Sequence, residues 1–243
     1  MRARTRVLGA AVMAVIGVGG TSACELLPGE TYEDDASVSE KITSVRLENG
    51  PGGVTVRGKD NLDEVKLHRE VEYHGDKPAG PTHEVDGGVL KLGGCGDECE
   101  VRYTVDVPAG IPVTGETSSG ELNMSKLGKV QVTTGSGGIS LNDIAGAVSV
   151  RTSNGQIKGR DLKGDGIKAE TSNGDVDLAP AKAQDVQVKT SNGGAELAVP
   201  AGSYQVAAKS GNGSREIGVE NDPSGDHRLT VVTSNGDITV KSS

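Results

Sequence analysis

The 243-residue chain has no tryptophan and no phenylalanine, and Tyr32, Tyr73, Tyr103 and Tyr204 are its only aromatic residues. A two-sheet sandwich of this length fills its interior with aromatic rings. Their absence favours a narrow core built from Val, Ile and Leu. Helical periodicity is also missing: period-two alternation bounded by Gly, Pro and Asp recurs instead, the signature of strands. No apolar run is long enough to span a bilayer, since the most apolar stretch, Val7 to Val18, is shorter than the roughly twenty residues a spanning helix needs. Basic charge is scarce as well. A formal net charge of −9 offers no Lys/Arg stripe to neutralise phosphates, so nucleic acid is not an expected partner.

What the N-terminus does contain is a targeting pattern. Arg2, Arg4 and Arg6 precede an uncharged stretch from Val7 to Ala23, as in a secretory signal peptide over residues 1–23. Removing it takes away those three arginines and no acid, so −9 becomes −12 for the mature protein. Such an acidic balance is compatible with cationic peptides as partners, although most acidic surfaces are simply solvated. The segment ends Gly20-Thr21-Ser22-Ala23-Cys24, which resembles the lipobox of bacterial lipoproteins. That resemblance implies lipidation of Cys24 and anchoring to the outer face of the cell membrane, because two or more acyl chains anchor stably where one does not. The alternative is an ordinary secretory signal cleaved near Ala23, with Cys24 incidental.

With Cys24 assigned to lipid, Cys95 and Cys99 remain as an even pair in an oxidising compartment. The Gly96-Asp97-Glu98 insert lets the two Cα atoms reach bridging distance, so a local disulfide on a hairpin turn is expected, with a loop-entropy contribution of roughly 2 kcal/mol. A redox pair would be Cys-x-x-Cys at a helix start. This spacing is different.

From Glu25 to Glu40 there are six acids and no base, with Pro28 and Gly29 among them, and residues 24–40 are expected to form a solvated tether. Residues 41–110 carry irregular alternating strands. From residue 111 to 243 the sequence repeats itself. Arg151-Thr-Ser-Asn-Gly155 recurs as Glu170-Thr-Ser-Asn-Gly174, Lys189-Thr-Ser-Asn-Gly193 and Val232-Thr-Ser-Asn-Gly236, with looser copies ending at Gly120, Gly137 and Gly213. The glycines are spaced 17, 18, 19, 19, 20 and 23 residues apart, and a period near 20 marks a solenoid.

Two all-β architectures compete. Asn-Gly between alternating strands is a strong hairpin signal, so an antiparallel β-meander is allowed. In a β-solenoid of the right-handed type, one repeat lies about 4.8 Å above the next. Asn154, Asn173, Asn192, Asn212 and Asn235 would then stack as an amide ladder, with Gly155, Gly174, Gly193, Gly213 and Gly236 at the corners. A meander gives successive turns no reason to share Thr-Ser. The solenoid is therefore the expected fold.

Glu48-Asn49-Gly50-Pro51-Gly52-Gly53-Val54-Thr55-Val56, Tyr103-Thr104-Val105-Asp106-Val107-Pro108-Ala109-Gly110 and the Thr-Ser-Asn-Gly turns together resemble the putative adhesin family of β-strand-repeat bacterial envelope proteins. The resemblance covers residues 41–243. It implies a stacked β coil on the cell envelope and carries no catalytic residues.

Residue types for catalysis are present without the required arrangement. Serine recurs in nearly every turn, the mark of a structural need rather than a nucleophile. His68, His74, His83 and His227 lack metal-ligand spacing and are expected at exposed strand positions. Asp175 and Asp237 follow their glycines, but Glu121, Gly138, Gln156, Gly194 and Ser214 hold the matching positions, unlike a calcium-binding repeat. No metal and no cofactor are expected. A polysaccharide-active enzyme would need aromatic platforms and paired carboxylates. The expected function is a non-enzymatic envelope lipoprotein whose elongated surface meets cell-wall polymer, envelope protein or cationic peptide; a glycan-active enzyme and a purely structural spacer are the alternatives.

Overall fold

A computed structural model describes residues 29–243. The signal peptide and Cys24 lie outside the described residues. Strands account for the regular structure throughout. The first seven are β1 (Glu30–Val38), β2 (Ser44–Asn49), β3 (Val54–Lys59), β4 (Val65–Tyr73), β5 (His83–Asp86), β6 (Val89–Gly93) and β7 (Cys99–Pro108). The repeats then supply pairs: β8 (Val113–Ser119) and β9 (Leu122–Leu127), β10 (Val130–Ser136) and β11 (Ile139–Ile144), β12 (Val148–Asn154) and β13 (Ile157–Leu162), β14 (Ile167–Asn173) and β15 (Val176–Pro180). Three more pairs follow: β16 (Val186–Asn192) and β17 (Ala195–Val199), β18 (Tyr204–Asn212) and β19 (Arg215–Ile217), β20 (His227–Asn235) and β21 (Ile238–Ser242).

Within each pair a glycine corner, Ser-Gly in the first two pairs and Asn-Gly in the other five, leads the backbone from one sheet to the other, and every coil pairs in parallel with the coils beside it. Ala195 accordingly partners Val176 and Ile238 and not Thr190, as a hairpin about Asn192-Gly193 would require. The fold is a β-solenoid. Its two open sheets have eleven and ten strands. Val, Ile and Leu point inward at alternate positions, for example Val186 and Val188 against Leu197 and Val199, all essentially inaccessible to solvent.

Alternation breaks at a second corner in three successive coils. Lys126, Asp143 and Asp161 adopt left-handed backbone conformations (φ 52°, 55° and 53°), which shifts the inward parity by one residue. Leu127, Ile144 and Leu162 are thereby turned into the core. Asp tolerates this conformation better than most residues.

Both ends depart from sequence order. β18 and β19 form the outermost coil, while β20 and β21 insert between them and the β16/β17 coil. At the other end β6 and β7 lie outside β2 and β3. The last strand in sequence is thus an interior strand, flanked by β17 and β19.

Two expectations require correction. Residues 30–38 of the expected tether form β1, antiparallel to β4 over nine pairs from Glu30↔Tyr73 to Val38↔Val65. Charge density suggested solvation, but alternate residues such as Tyr32, Asp34 and Ala36 face partners on the sheet, and the acids pair with His68 and Arg69. Cys95 and Cys99 do form a disulfide, with Cα atoms 5.9 Å apart. It closes the corner between β6 in one sheet and β7 in the other, not a hairpin turn.

Candidate functional surfaces

The Thr-Ser-Asn-Gly corner is the most repeated chemical unit of the protein, and each of its residues has a distinct place. The threonine shares the inward parity of the preceding valines and is buried. Thr152, Thr171 and Thr190 each donate from Oγ1 to a corner-glycine carbonyl of the adjoining coil, namely Gly137, Gly155 and Gly174, all at 3.0 Å. Thr233 does the same to Gly193 at 2.9 Å, and Ser210 substitutes in the end coil by donating to Gly236. This inner hydroxyl row was not among the expected site residues. Its signal was present, because Val-x-Val-x-Thr places Thr on the core face.

The asparagines form the expected ladder on the outside. Asn173 Nδ2 donates to Asn154 Oδ1 at 2.8 Å and Asn192 to Asn173 at 2.8 Å. Asn235 then donates to Asn192 at 2.9 Å, and Asn212 to Asn235 at 2.8 Å. The spatial order is 154, 173, 192, 235, 212, with the last two exchanged relative to the sequence. All five are exposed, in contrast to the buried ladder that would make each amide costly to remove. The two rows therefore separate in their energetics. Thr190→Val is expected to lower stability by about 1 to 2 kcal/mol, because it strips the partner from a buried carbonyl. Asn192→Ala should cost only about half a kcal/mol, since water can replace its bonds. Urea melts of the two variants measure the difference.

Most charged groups of the repeats are engaged along the stack. Arg151 reaches Glu170 at 3.0 Å and Lys182 reaches Asp165 at 2.8 Å, while Lys241 pairs with Glu196. Asp175 Oδ1 accepts the Gly194 backbone N–H at 2.7 Å. Asp237 Oδ1 accepts both the backbone N–H and the hydroxyl of Ser214, and these bonds hold its carboxyl below the usual range. Both acids serve the next coil.

The N-terminal end contains a different cluster. Arg69 of β4 is 5% exposed. It grips Asp34 of β1 with both ends of its fork, Nε donating to Oδ1 at 2.8 Å and Nη2 to Oδ2, and Nη1 donates to Thr82 Oγ1 at 3.0 Å. Tyr103 is buried beside them, its hydroxyl 2.7 Å from the Gly93 carbonyl and in contact with Thr82, and burial pushes its pKa up to about 12. His83 is half-buried, not exposed as expected, and its Nδ1 is enclosed without a partner among the described residues. Burial first, and then the Arg69 charge, pushes its pKa down. His68, 2.9 Å from Asp35, and His227 are likewise only partly exposed, and His74 alone is exposed as expected.

An open groove of about 830 Å³ crosses the sheet containing β2, β8 and β10, lined by Arg46, Glu48, Glu116, Gln131 and Thr133. It marks the seam between the irregular coils and the regular ones. Here the threonine row is interrupted: Thr117 Oγ1 is buried with no partner among the described residues.

The model of the family described as Toastrack DUF4097 matches residues 111–241, more than half of the protein. The chain belongs to the Toastrack DUF4097 family. The matched span coincides with the seven regular coils, so the Toastrack unit is the part built from the Thr, Asn and Gly rows. No curated protein matches it. Crystal structures similar to it include three bacterial proteins. A "putative cell adhesion protein" from Clostridium sporogenes ATCC 15579 is 15% identical, covering 88% of this chain and 100% of that one with a TM-score of 0.41. A "putative adhesin" from Parabacteroides distasonis ATCC 8503 is 12% identical, covering 87% and 97%, with a TM-score of 0.49. Another from Parabacteroides merdae ATCC 43184 is 11% identical, covering 87% and 96%, with a TM-score of 0.46.

Proposed function

We propose that this Toastrack protein is a non-enzymatic envelope lipoprotein, anchored through Cys24, that presents an elongated β surface to a component of the bacterial envelope. The observation that carries the reading is the commitment of its recurring polar residues to the stack. Thr, Asn and Gly of the Thr-Ser-Asn-Gly corners bond to the adjoining coil, Asp175 and Asp237 do so at their two corners, and many of the charged side chains pair along the stack. Residues so used are structural, and what remains for function is the long outer surface itself.

The position of β1 supports the anchor reading in a revised form. Glu30 follows Cys24 by six residues, a reach of at most about 20 Å. The solenoid would thus stand close to the membrane by its N-terminal end, with the β18/β19 coil farthest away. Cell-wall polymer, an envelope protein or a cationic peptide are the partners this acidic surface fits. The test is a pulldown from envelope extract, with the full-length protein set against a variant whose outward charges are scrambled. Selective recovery by the native surface is expected, and equal recovery by both would refute the proposal.

A further inference from the structure

The ladder ends at a chemically exposed rung. Asn-Gly is the sequence most open to loss of the side-chain amide, because an unhindered glycine nitrogen can attack the Asn side chain. Asparagine is for this reason among the labile residues. Five Asn-Gly pairs share one corner geometry here and differ in what lies above them. At four corners the glycine N–H is donated to a backbone carbonyl of the next coil: Gly155 to Asn173 at 2.9 Å, Gly174 to Asn192 at 2.9 Å, Gly193 to Asn235 at 2.9 Å and Gly236 to Asn212 at 2.8 Å. The fifth, Gly213, belongs to the outermost coil. Its N–H has no hydrogen-bond acceptor among the described residues, since β18 and β19 are the last strands of their sheets. The side chains follow the same division. Asn173, Asn192 and Asn235 each donate and accept within the ladder, whereas Asn212 only donates, to Asn235. Asn49, which precedes Gly50, is buried and its amide is tied to the carbonyls of Gly52 and Val101.

We infer that Asn212 is a site of spontaneous modification in the folded protein, and that the stack protects the other corner asparagines. In the reaction the Gly213 backbone nitrogen gives its proton to solvent hydroxide and attacks Asn212 Cγ. The bond from Cγ to the amide nitrogen Nδ2 breaks and ammonia leaves, taking a proton from water, which forms a five-membered imide. Water then adds across one of the two imide C–N bonds, leaving aspartate or isoaspartate. The net change is amide plus water to carboxylic acid plus ammonia, with no other reactant. For the interior corners the nitrogen must first surrender its bond to the neighbouring coil and the amide its second ladder bond. At Asn212 both are already absent. The product cannot donate to Asn235 Oδ1, so the outermost coil loses its ladder bond and gains a negative charge.

The test uses the intact full-length protein, incubated at mildly alkaline pH and 37 °C, with peptide mass spectrometry following the mass gain of one dalton at each Asn-Gly. In the folded protein Asn212 is expected to convert at least about fivefold faster than Asn173, Asn192 or Asn235, as each of these must open further hydrogen bonds first. In urea the differences should largely vanish. Hydrogen exchange in β18 should rise in the aged sample while β14 is unchanged. Equal rates for the five corners in the folded state, or an interior corner converting faster than Asn212, would overturn the inference, as would an unmodified Asn212 in folded protein when the unfolded protein is modified there.

Discussion

Gly193→Ala is expected to lower stability by about 3 kcal/mol or more, as would a methyl group at any of the equivalent corner glycines. Gly193 has φ +151°, a conformation that L side chains rarely adopt. A Cβ there would lie 2.1 Å from the Gly174 carbonyl oxygen and 2.5 Å from its carbon. These are backbone atoms of the coil beneath, and they are fixed by their own stack: Gly174 stands in the same relation to Gly155, and Gly236 to Gly193. No flexible group is there to yield and make room. The column of glycines lets adjacent coils approach to sheet spacing at the corner, and one methyl group must prise two coils apart. Chemical denaturation against Ser191→Ala, on the same corner and expected within about half a kcal/mol of the parent, isolates the effect. A shift no larger than that of Ser191→Ala would show that the corners are not in contact.

Asp34→Asn is expected to cost about 2 kcal/mol. Arg69 is nearly inaccessible, so removing the carboxylate charge leaves a buried guanidinium with only neutral acceptors: the one Asn oxygen, Thr82 and the Gly80 carbonyl. Breaking a fully buried pair costs more, but the Asp34 side chain is 42% exposed and water offsets part of the loss. The pH dependence follows from the same group. The Arg69 guanidinium holds the Asp34 carboxyl below its unfolded value of 3.8. Its contribution is therefore complete above that value and is lost as pH falls through the lower, folded one. His83 acts in the same direction from higher pH. Its pKa is depressed by burial, so the unfolded protein takes up a proton below 6.5 that the folded protein resists, and stability declines on acidification from there. Thermal melts from pH 7 to pH 3 should show both declines in the parent. Asp34→Asn should keep the decline that His83 causes below 6.5 and lose the share of the acid decline that Asp34 contributes.

The repeats were legible because their determinants are local and periodic. Glycine spacing fixed the coil length, and the shared Thr-Ser before Asn-Gly distinguished a stack from a meander. The Asn ladder followed from these. The threonine row could have been read from the same pattern, since Thr190 stands two residues beyond Val188 on the inward face. The ends were not legible, for physical reasons. Coils such as β18/β19 and β20/β21 present equivalent edges, so the sequence does not say which stacks on β16/β17 first. Only the lengthening of the last intervals to 20 and 23 residues hinted at a step over a coil. The nature of β1 depended on a distant partner: Glu33, Asp34 and Asp35 look like a solvated run until Arg69 and His68 of β4 are set against them.

The exchanged order at the C-terminal end is the part of the architecture that sequence order alone would not give, and a crosslink tests it directly. Lys189 of β16 is the partner of Val232 of β20, whereas Lys209 of β18 lies one strand further out, about 9 to 10 Å away. Paired residues on neighbouring parallel strands fall within the Cα range that a disulfide bridges. In a variant carrying Lys189→Cys and Val232→Cys, mild oxidation should close a disulfide detectable by peptide mass spectrometry, and Lys189→Cys with Lys209→Cys should remain open. Closure of the second pair without the first would mean that the coils stack in sequence order and would contradict the fold described.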